Sequence, residues 1–339
     1  MGSALLNLKR KTLTERLALL EKQYLAASNQ LNGELNAINR VLLEKQIETL
    51  EKEIEKVAAE LENLAPTTSA KGTGEEPTPN AVFGTGHRWA VLIGVNHYDD
   101  FNNYGGLNLA VSDVTAIHQQ LLVSGYDATR VRLLSDDEQE LPTRNKILAA
   151  LQSLADATEQ DDLLLFYYSG HGDLTANQSY LVARDGYAVS LADTAVSLKR
   201  IEEIIHAAKA RAKVIILDAC HSGANIGSKG PKRMSAKFIE QVFAQAAGMA
   251  VLASCKQGEL SYEWAEQGQS VFTHYLLEAL TGKADLDEKG FVTVQDLNRH
   301  LTNAVKPWGA QRNVSQTPTL QYKVSGDIIL AGVITPLEK

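Results

Sequence analysis

The chain has 339 residues, 44% hydrophobic and 22% charged, a balance that allows a real core and excludes collagen-like, disulfide-framework and wholly disordered classes. A formal net charge of −8 argues against nucleic acid or an anionic membrane as the main partner. Two cysteines point to a reducing compartment; no apolar run approaches the roughly 18 residues of a membrane span and no basic-then-apolar leader opens the chain, so a cytoplasmic protein is expected.

Residues 1–64 contain no aspartate and no proline. Apolar side chains fall at Leu13, Leu17, Leu20, Tyr24, Ala27 and Leu31, then again at Leu43, Ile47, Leu50, Ile54, Val57, Leu61 and Leu64. Steps of four and three are the heptad signature of helices packed along a seam. Glu48 and Lys52 add an i,i+4 pair in the favourable orientation. Between the two runs lie Ser28, Asn29, Asn32 and Gly33, residues that compete with helical hydrogen bonding. The pattern predicts a short helix, a turn, and a second helix from about Asn36 to Leu64 that is roughly 40 Å long; one continuous helix is the alternative. A seam this narrow needs a partner, so 1–64 is read as a helical or coiled-coil region for self-association or recruitment. Residues 65–80 are Pro, Gly, Thr and Glu with almost nothing to bury, a flexible linker.

From Arg88 the rhythm changes. Strands are predicted at Trp89–Val95, Arg130–Leu134, Asp162–Ser169, Lys213–Asp218 and Met249–Ser254, with later ones at Thr319–Lys323 and Ile328–Ala331 completing or edging the sheet. Helical patterns lie at Leu107–Val123, Thr143–Asp156, Leu198–Ala208, Val271–Leu280 and Val294–Val305. Apolar strands alternating with helices indicate an α/β fold, a mainly parallel central sheet flanked by helices on both sides.

Two predicted strands end in glycine-bearing turns, one carrying Gly170-His171-Gly172 and the other Cys220-His221-Ser222-Gly223. Ligand sites of open parallel sheets lie beyond the carboxyl ends of the strands, so His171 and Cys220 can meet in space. An imidazole that holds or relays a thiol proton is the requirement for a sulfur nucleophile at neutral pH. No CxxC spacing supports zinc, and Cys255, at the end of an apolar strand, reads as a buried or site-edge thiol.

The segments Tyr167-Tyr168-Ser169-Gly170-His171-Gly172 and Asp218-Ala219-Cys220-His221-Ser222-Gly223 resemble those of the caspase-like cysteine peptidases, in particular the metacaspase and prokaryotic caspase-homologue branch. Ala90-Val91-Leu92-Ile93-Gly94-Val95-Asn96, Ala253-Ser254-Cys255 and Ser270-Val271-Phe272-Thr273 extend the likeness, which assigns residues 81–339 to a caspase-like three-layer peptidase domain and leaves 1–64 outside it. The resemblance implies Cys220 as nucleophile, His171 as acid/base, and the backbone N–H groups of Gly172 and Cys220 as the oxyanion hole. It also implies a substrate pocket containing Asp113, Ser169 and Asp218. Two carboxylates in one pocket attract Arg or Lys and repel Asp, so protein substrates with exposed Arg or Lys are expected; Ala110 replaces a cysteine common in this branch.

A loop of this kind after the nucleophile is often cut in the family, which makes Lys229, Lys232 and Arg233 candidates for self-cleavage, Arg233 first. Many metacaspases take calcium through several oxygen ligands. Asp185 matches one such position, but no acidic residue follows Gly223 before Glu240, so no metal and no cofactor is expected. Asp285, Asp287 and Glu288 read as a solvated turn before Gly290. Tyr262 and Trp264 fall where the family often builds its substrate groove, with plain packing the favoured role. The preferred reading is a regulated cysteine endopeptidase, a stress, cell-death or anti-phage effector of a prokaryote; a silent scaffold and an Asp-specific caspase are the alternatives.

Overall fold

The computed structural model describes residues 16, 20, 37–63, 86–175, 178–221, 248–256, 259–324 and 326–333. They fall into two compact units, one holding the residues up to 63 and the other those from 86 onward. The self-cleavage candidates Lys229, Lys232 and Arg233 lie outside the described residues.

In the first unit, helix α1 spans Ala37–Asn63, within a residue of the predicted span. Leu50 and Val57, one heptad apart, are buried; Leu43 and Ile47 are half-buried. The expected Glu48–Lys52 pair forms at 2.6 Å on the exposed side. Arg16 reaches Glu53 at 3.6 Å. The segment between Leu20 and Ala37, on which the choice between a hairpin and one continuous helix rests, lies outside the described residues.

The second unit is built on an eight-stranded sheet. Its main path runs β11 (Thr319–Tyr322), β7 (Ala250–Ala253), β6 (Ala212–His221), β3 (Leu163–Thr175), β1 (Arg88–Gly94) and β2 (Val131–Ser135). All neighbours on this path are parallel except the β11 edge strand, which runs antiparallel to β7. Two short strands, β4 (Gln178–Leu181) and β5 (Val196–Ser197), extend the far end of β3. Strict alternation sends successive side chains to opposite faces. Val91, Ile93, Phe166, Tyr168, Ile215 and Leu217 pack in one cluster with helices α3 (Arg144–Ala157) and α4 (Leu198–Ala207). Leu92, Leu165, Tyr167 and Ile216 pack on the other face with α2 (Ala110–Val123), α5 (Val271–Glu278) and α6 (Val294–Gln311). This is the expected three-layer arrangement.

Three departures from the sequence reading are informative. β3 and β6 do not stop before the histidine and cysteine but run through them, β3 as far as Thr175, because β4 folds back to pair with β3 beyond Gly172. The last predicted strand does not join the main sheet; β12 (Ile329–Gly332) pairs instead with β10 (Phe291–Thr293). And α6 continues through Pro307 to Gln311, six residues past its predicted end, with Trp308 and Gly309 buried.

Because β1 has β2 on one side and β3 on the other, the chain order reverses at β1, the place where open α/β sheets form a crevice at their carboxyl edge. Gly94 closes β1 there. A Cβ on Gly94 would lie 2.5 Å from both the Ala110 carbonyl oxygen and Val114 Cγ1, so glycine lets the first turn of α2 press onto the strand. Gly94→Ala is expected to cost about 1–3 kcal/mol and to lower the melting midpoint by roughly 3–10 °C. An unchanged midpoint by calorimetry would show that this contact yields freely.

Candidate active site

The pairing of β3 with β6 sets the site. In register, Ser169 faces Asp218, His171 faces Cys220 and Gly172 faces His221. Neighbouring strands are separated by about 4.8 Å and successive residues by about 3.3 Å. The histidine and cysteine backbones are therefore direct neighbours, and the Ser169–Asp218 rung lies roughly 6.6 Å behind them. Cys220 enters through its backbone position alone.

His171 is 7% exposed and held on several sides. Its Nε2 donates to the Gly105 carbonyl at 2.7 Å; a carbonyl can only accept, so Nε2 carries a hydrogen. The His171 backbone N–H donates to the Tyr98 hydroxyl at 2.8 Å, and that hydroxyl donates to the Val95 carbonyl at 3.0 Å. The Tyr168 hydroxyl donates to the His171 carbonyl at 2.8 Å. The Tyr98 ring lies against the imidazole with centroids 4.7 Å apart. Gly170 makes room for both tyrosines, since a Cβ there would lie 2.5 Å from the Tyr168 hydroxyl and 2.9 Å from that of Tyr98. The loop carrying Tyr98 and Gly105 is pinned by the buried carboxylate of Asp136, which accepts the N–H groups of Asn96 and His97 and pairs with Arg184 at 2.8 Å.

Behind this rung lies an open pocket enclosing about 290 Å³, part of it open to solvent, lined by Ala110, Asp113, Ser169, Asp218, Ser261, Tyr262 and Ser270 among others, with no basic side chain among the described residues that line it. The sequence-predicted trio of Asp113, Ser169 and Asp218 thus converges. Asp113 comes from the first turn of α2; it accepts from Ser169 Oγ at 3.1 Å and from the Ser270 backbone N–H at 2.8 Å. Asp218 accepts from Ser261 Oγ at 2.7 Å, from Ser270 Oγ, and from Thr273 Oγ1 at 3.2 Å. Ser270 touches both carboxyls and is also the N-cap of α5 through Thr273 N–H at 3.0 Å. Helix N-termini favour negative charge, which partly explains why both acids tolerate this place.

Burial pushes the Asp113 carboxyl well above the ordinary carboxylate range, and the neighbouring Asp218 adds to the rise. Asp218 is likewise raised by burial, against the pull of its hydroxyl donors, Ser270 first. Two buried like charges do not ionise together without a cation between them.

Other residues singled out in the sequence take ordinary places. Trp264 packs on Trp308 and His274, with Arg312 over its ring, while Tyr262 does line the pocket. Cys255 is fully buried. Asp185 accepts the Arg144 N–H at the start of α3, and among the described residues no cluster of three His, Cys, Asp or Glu could hold a metal. Asp285 accepts from Lys289 and Gly290 N–H, closing the turn as read. The sequence reading missed Ser261, the bridging role of Ser270, and the loop that holds His171. For Ser270 a signal existed, a serine three residues before Thr273 at a helix start.

Comparison with known proteins agrees with this fold. A family model described as Caspase domain matches residues 87–328, and one described as Effector-associated domain 9 matches residues 3–64. Metacaspase-1 of Candida albicans is 30% identical over 154 residues, 41% of this chain and 34% of that protein. Metacaspase-1 of Botryotinia fuckeliana is 30% identical over 198 residues, 52% and 45% of the two chains. Metacaspase-1A of Aspergillus oryzae is 39% identical over 98 residues, 27% and 22%. The chain thus spans less than half the length of these relatives.

The buried acid pair has a thermodynamic consequence. A carboxyl whose folded pKa is raised contributes stability at low pH that is lost as pH rises through that value. Asp113→Asn keeps the hydrogen-bonding shape without the charge, so it is expected to be more stable than the unmodified chain at pH 8, with the gap closing toward pH 4. Denaturant titrations at the two pH values check this; a gap that persists at pH 4 would show that ionisation is not its source.

Proposed function

The chain belongs to the caspase-domain family, and from that membership we propose that it is a cysteine endopeptidase cutting proteins after Arg or Lys. The observation that carries the reading is the spacing of two rungs: a histidine–cysteine rung for the chemistry, and two residues behind it a pocket with two buried acids and no base among its described lining residues. In the proposed reaction the Cys220 sulfur attacks the peptide carbonyl while His171 takes the thiol proton. The oxyanion is received by the N–H groups of Gly172 and Cys220, the kind of donor whose loss costs about 3–4 kcal/mol of transition-state stabilisation. His171 then gives its proton to the leaving amine as the C–N bond breaks. Water, deprotonated by the same imidazole, attacks the thioester and regenerates the thiol.

A guanidinium or ammonium entering the pocket supplies the missing countercharge, letting both carboxyls ionise, whereas a P1 aspartate would add a third negative charge. This favours the basic-residue reading over an Asp-specific one. The match of residues 3–64 to an effector-associated domain supports a recruitment or self-association role for the N-terminal unit and a regulated effector role for the whole. No described helix is long and apolar enough to cross a membrane, and a thiol nucleophile is best kept in the reducing cytoplasm.

Fluorogenic peptides differing in P1 test the function. Arg and Lys peptides are expected to be cleaved at least about 100-fold faster than the Asp peptide, as one repelled charge of about 3 kcal/mol would give, and Cys220→Ala to abolish turnover. Preferential cleavage of the Asp peptide would overturn the pocket argument, and no cleavage under any condition would favour a scaffold. Intact-mass analysis of active protein is expected to show a cut after Arg233 that is absent in Cys220→Ala; full activity in an uncut chain would refute self-cleavage.

A further inference from the structure

Among the hydroxyls that donate to Asp218, those of Ser270 and Thr273 belong to the start of α5, while Ser261 sits on the segment leading from β7 to β8 (Glu263–Trp264). That segment is fastened from the far end of the chain. Gln316, between α6 and β11, is 1% exposed. Its whole amide is committed there: Oε1 accepts the Tyr262 N–H at 3.2 Å, and Nε2 donates to the Ser254 carbonyl at 3.2 Å and to Ser261 Oγ at 3.1 Å. A hydroxyl has one proton. When Ser261 Oγ accepts from Gln316, that proton is directed to Asp218 Oδ1, 2.7 Å away.

We propose that Gln316 is a specificity-determining positioning residue which, acting through Ser261, holds Asp218 ready to receive a cationic P1 side chain. The inference rests on the basic-P1 reading of the pocket and names a residue more than ninety positions from the nearer motif. Donor-to-hydroxyl-to-carboxylate chains polarise one another and favour the charged form of the final acceptor. Without the amide, the donor that turns the Ser261 proton toward Asp218 is lost, and the protonated acid persists to higher pH. A plain structural staple exists next door for comparison: Thr317 donates through N–H and Oγ1 to the buried carboxylate of Glu259 at 2.6 and 3.0 Å. It fastens the same segment without touching Asp218.

Steady-state kinetics of the full chain on a P1-Arg peptide, across pH 5–9, distinguish the two roles. Gln316→Met is expected to raise KM about 10-fold, the loss of one hydrogen bond serving a charged group. It should leave kcat within about twofold and move the acid limb of kcat/KM to higher pH. Ser261→Ala should do the same, and the double variant should be no worse than the poorer single one, because both remove one path. Thr317→Val should lower the melting midpoint yet keep KM and the acid limb. If Gln316→Met does not fold, Ser261→Ala, which removes the same donor to Asp218 and leaves the Gln316 amide in place, carries the readout. Losses that multiply in the double variant, or an equal rise of KM in Thr317→Val, would overturn the inference. So would an unchanged KM in the Gln316 variant of a chain that cleaves P1-Arg peptides. A parent chain that cleaves no basic peptide overturns the pocket reading itself.

Discussion

The parallel pairing of β3 with β6 is the constraint on which the rest depends. It fixes in one register both the Ser169–Asp218 rung and the His171–Cys220 rung. A slip of one residue would place the histidine against Ala219 or His221 and turn the core side chains of β6 to the opposite faces. Each face is closed by helices, with Phe166 and Ile215 buried in one cluster and Tyr167 and Ile216 in the other, so a slipped register would strand apolar residues everywhere along the strand. The hydrophobic core therefore enforces the geometry of the site.

The carboxyl pair shows the opposite relation between stability and function. Burying Asp113 and Asp218 with no base nearby among the described residues works against folding at neutral pH, and those residues compensate with hydroxyls, a backbone N–H and two helix N-termini. A permanent lysine or arginine in the pocket would satisfy the acids and leave nothing for a substrate. Functional sites commonly hold such locally unfavourable arrangements.

Much of this was legible in the chain. The alternating apolar strands, the heptad steps of α1 and the two glycine-bearing motifs gave the layers, the N-terminal helix and the neighbouring placement of His171 and Cys220, because each is a local pattern. The ends of β3 and β6 were not, since Gly170 and Gly172 read as a turn yet pair with Ala219 and His221 of β6, and β4, a strand with no strong pattern of its own, extends β3 from Gly172 onward. Pro307 reads as a stop, yet burial of Trp308 carries α6 past it. Ser261, Gln316 and the Gly105 carbonyl were invisible for a different reason. Their roles come from hydrogen bonds across 43, 55 and 66 residues, and isolated polar residues in irregular segments give no periodic signal.

Covalent capture tests the central claim most directly. The full chain would be incubated with matched peptidyl electrophiles bearing arginine or aspartate at P1, and the adduct located by tandem mass spectrometry. One label is expected, on Cys220, formed with the arginine reagent, lost in His171→Ala and suppressed as pH falls. A label on Cys255, or faster capture by the aspartate reagent, would contradict it.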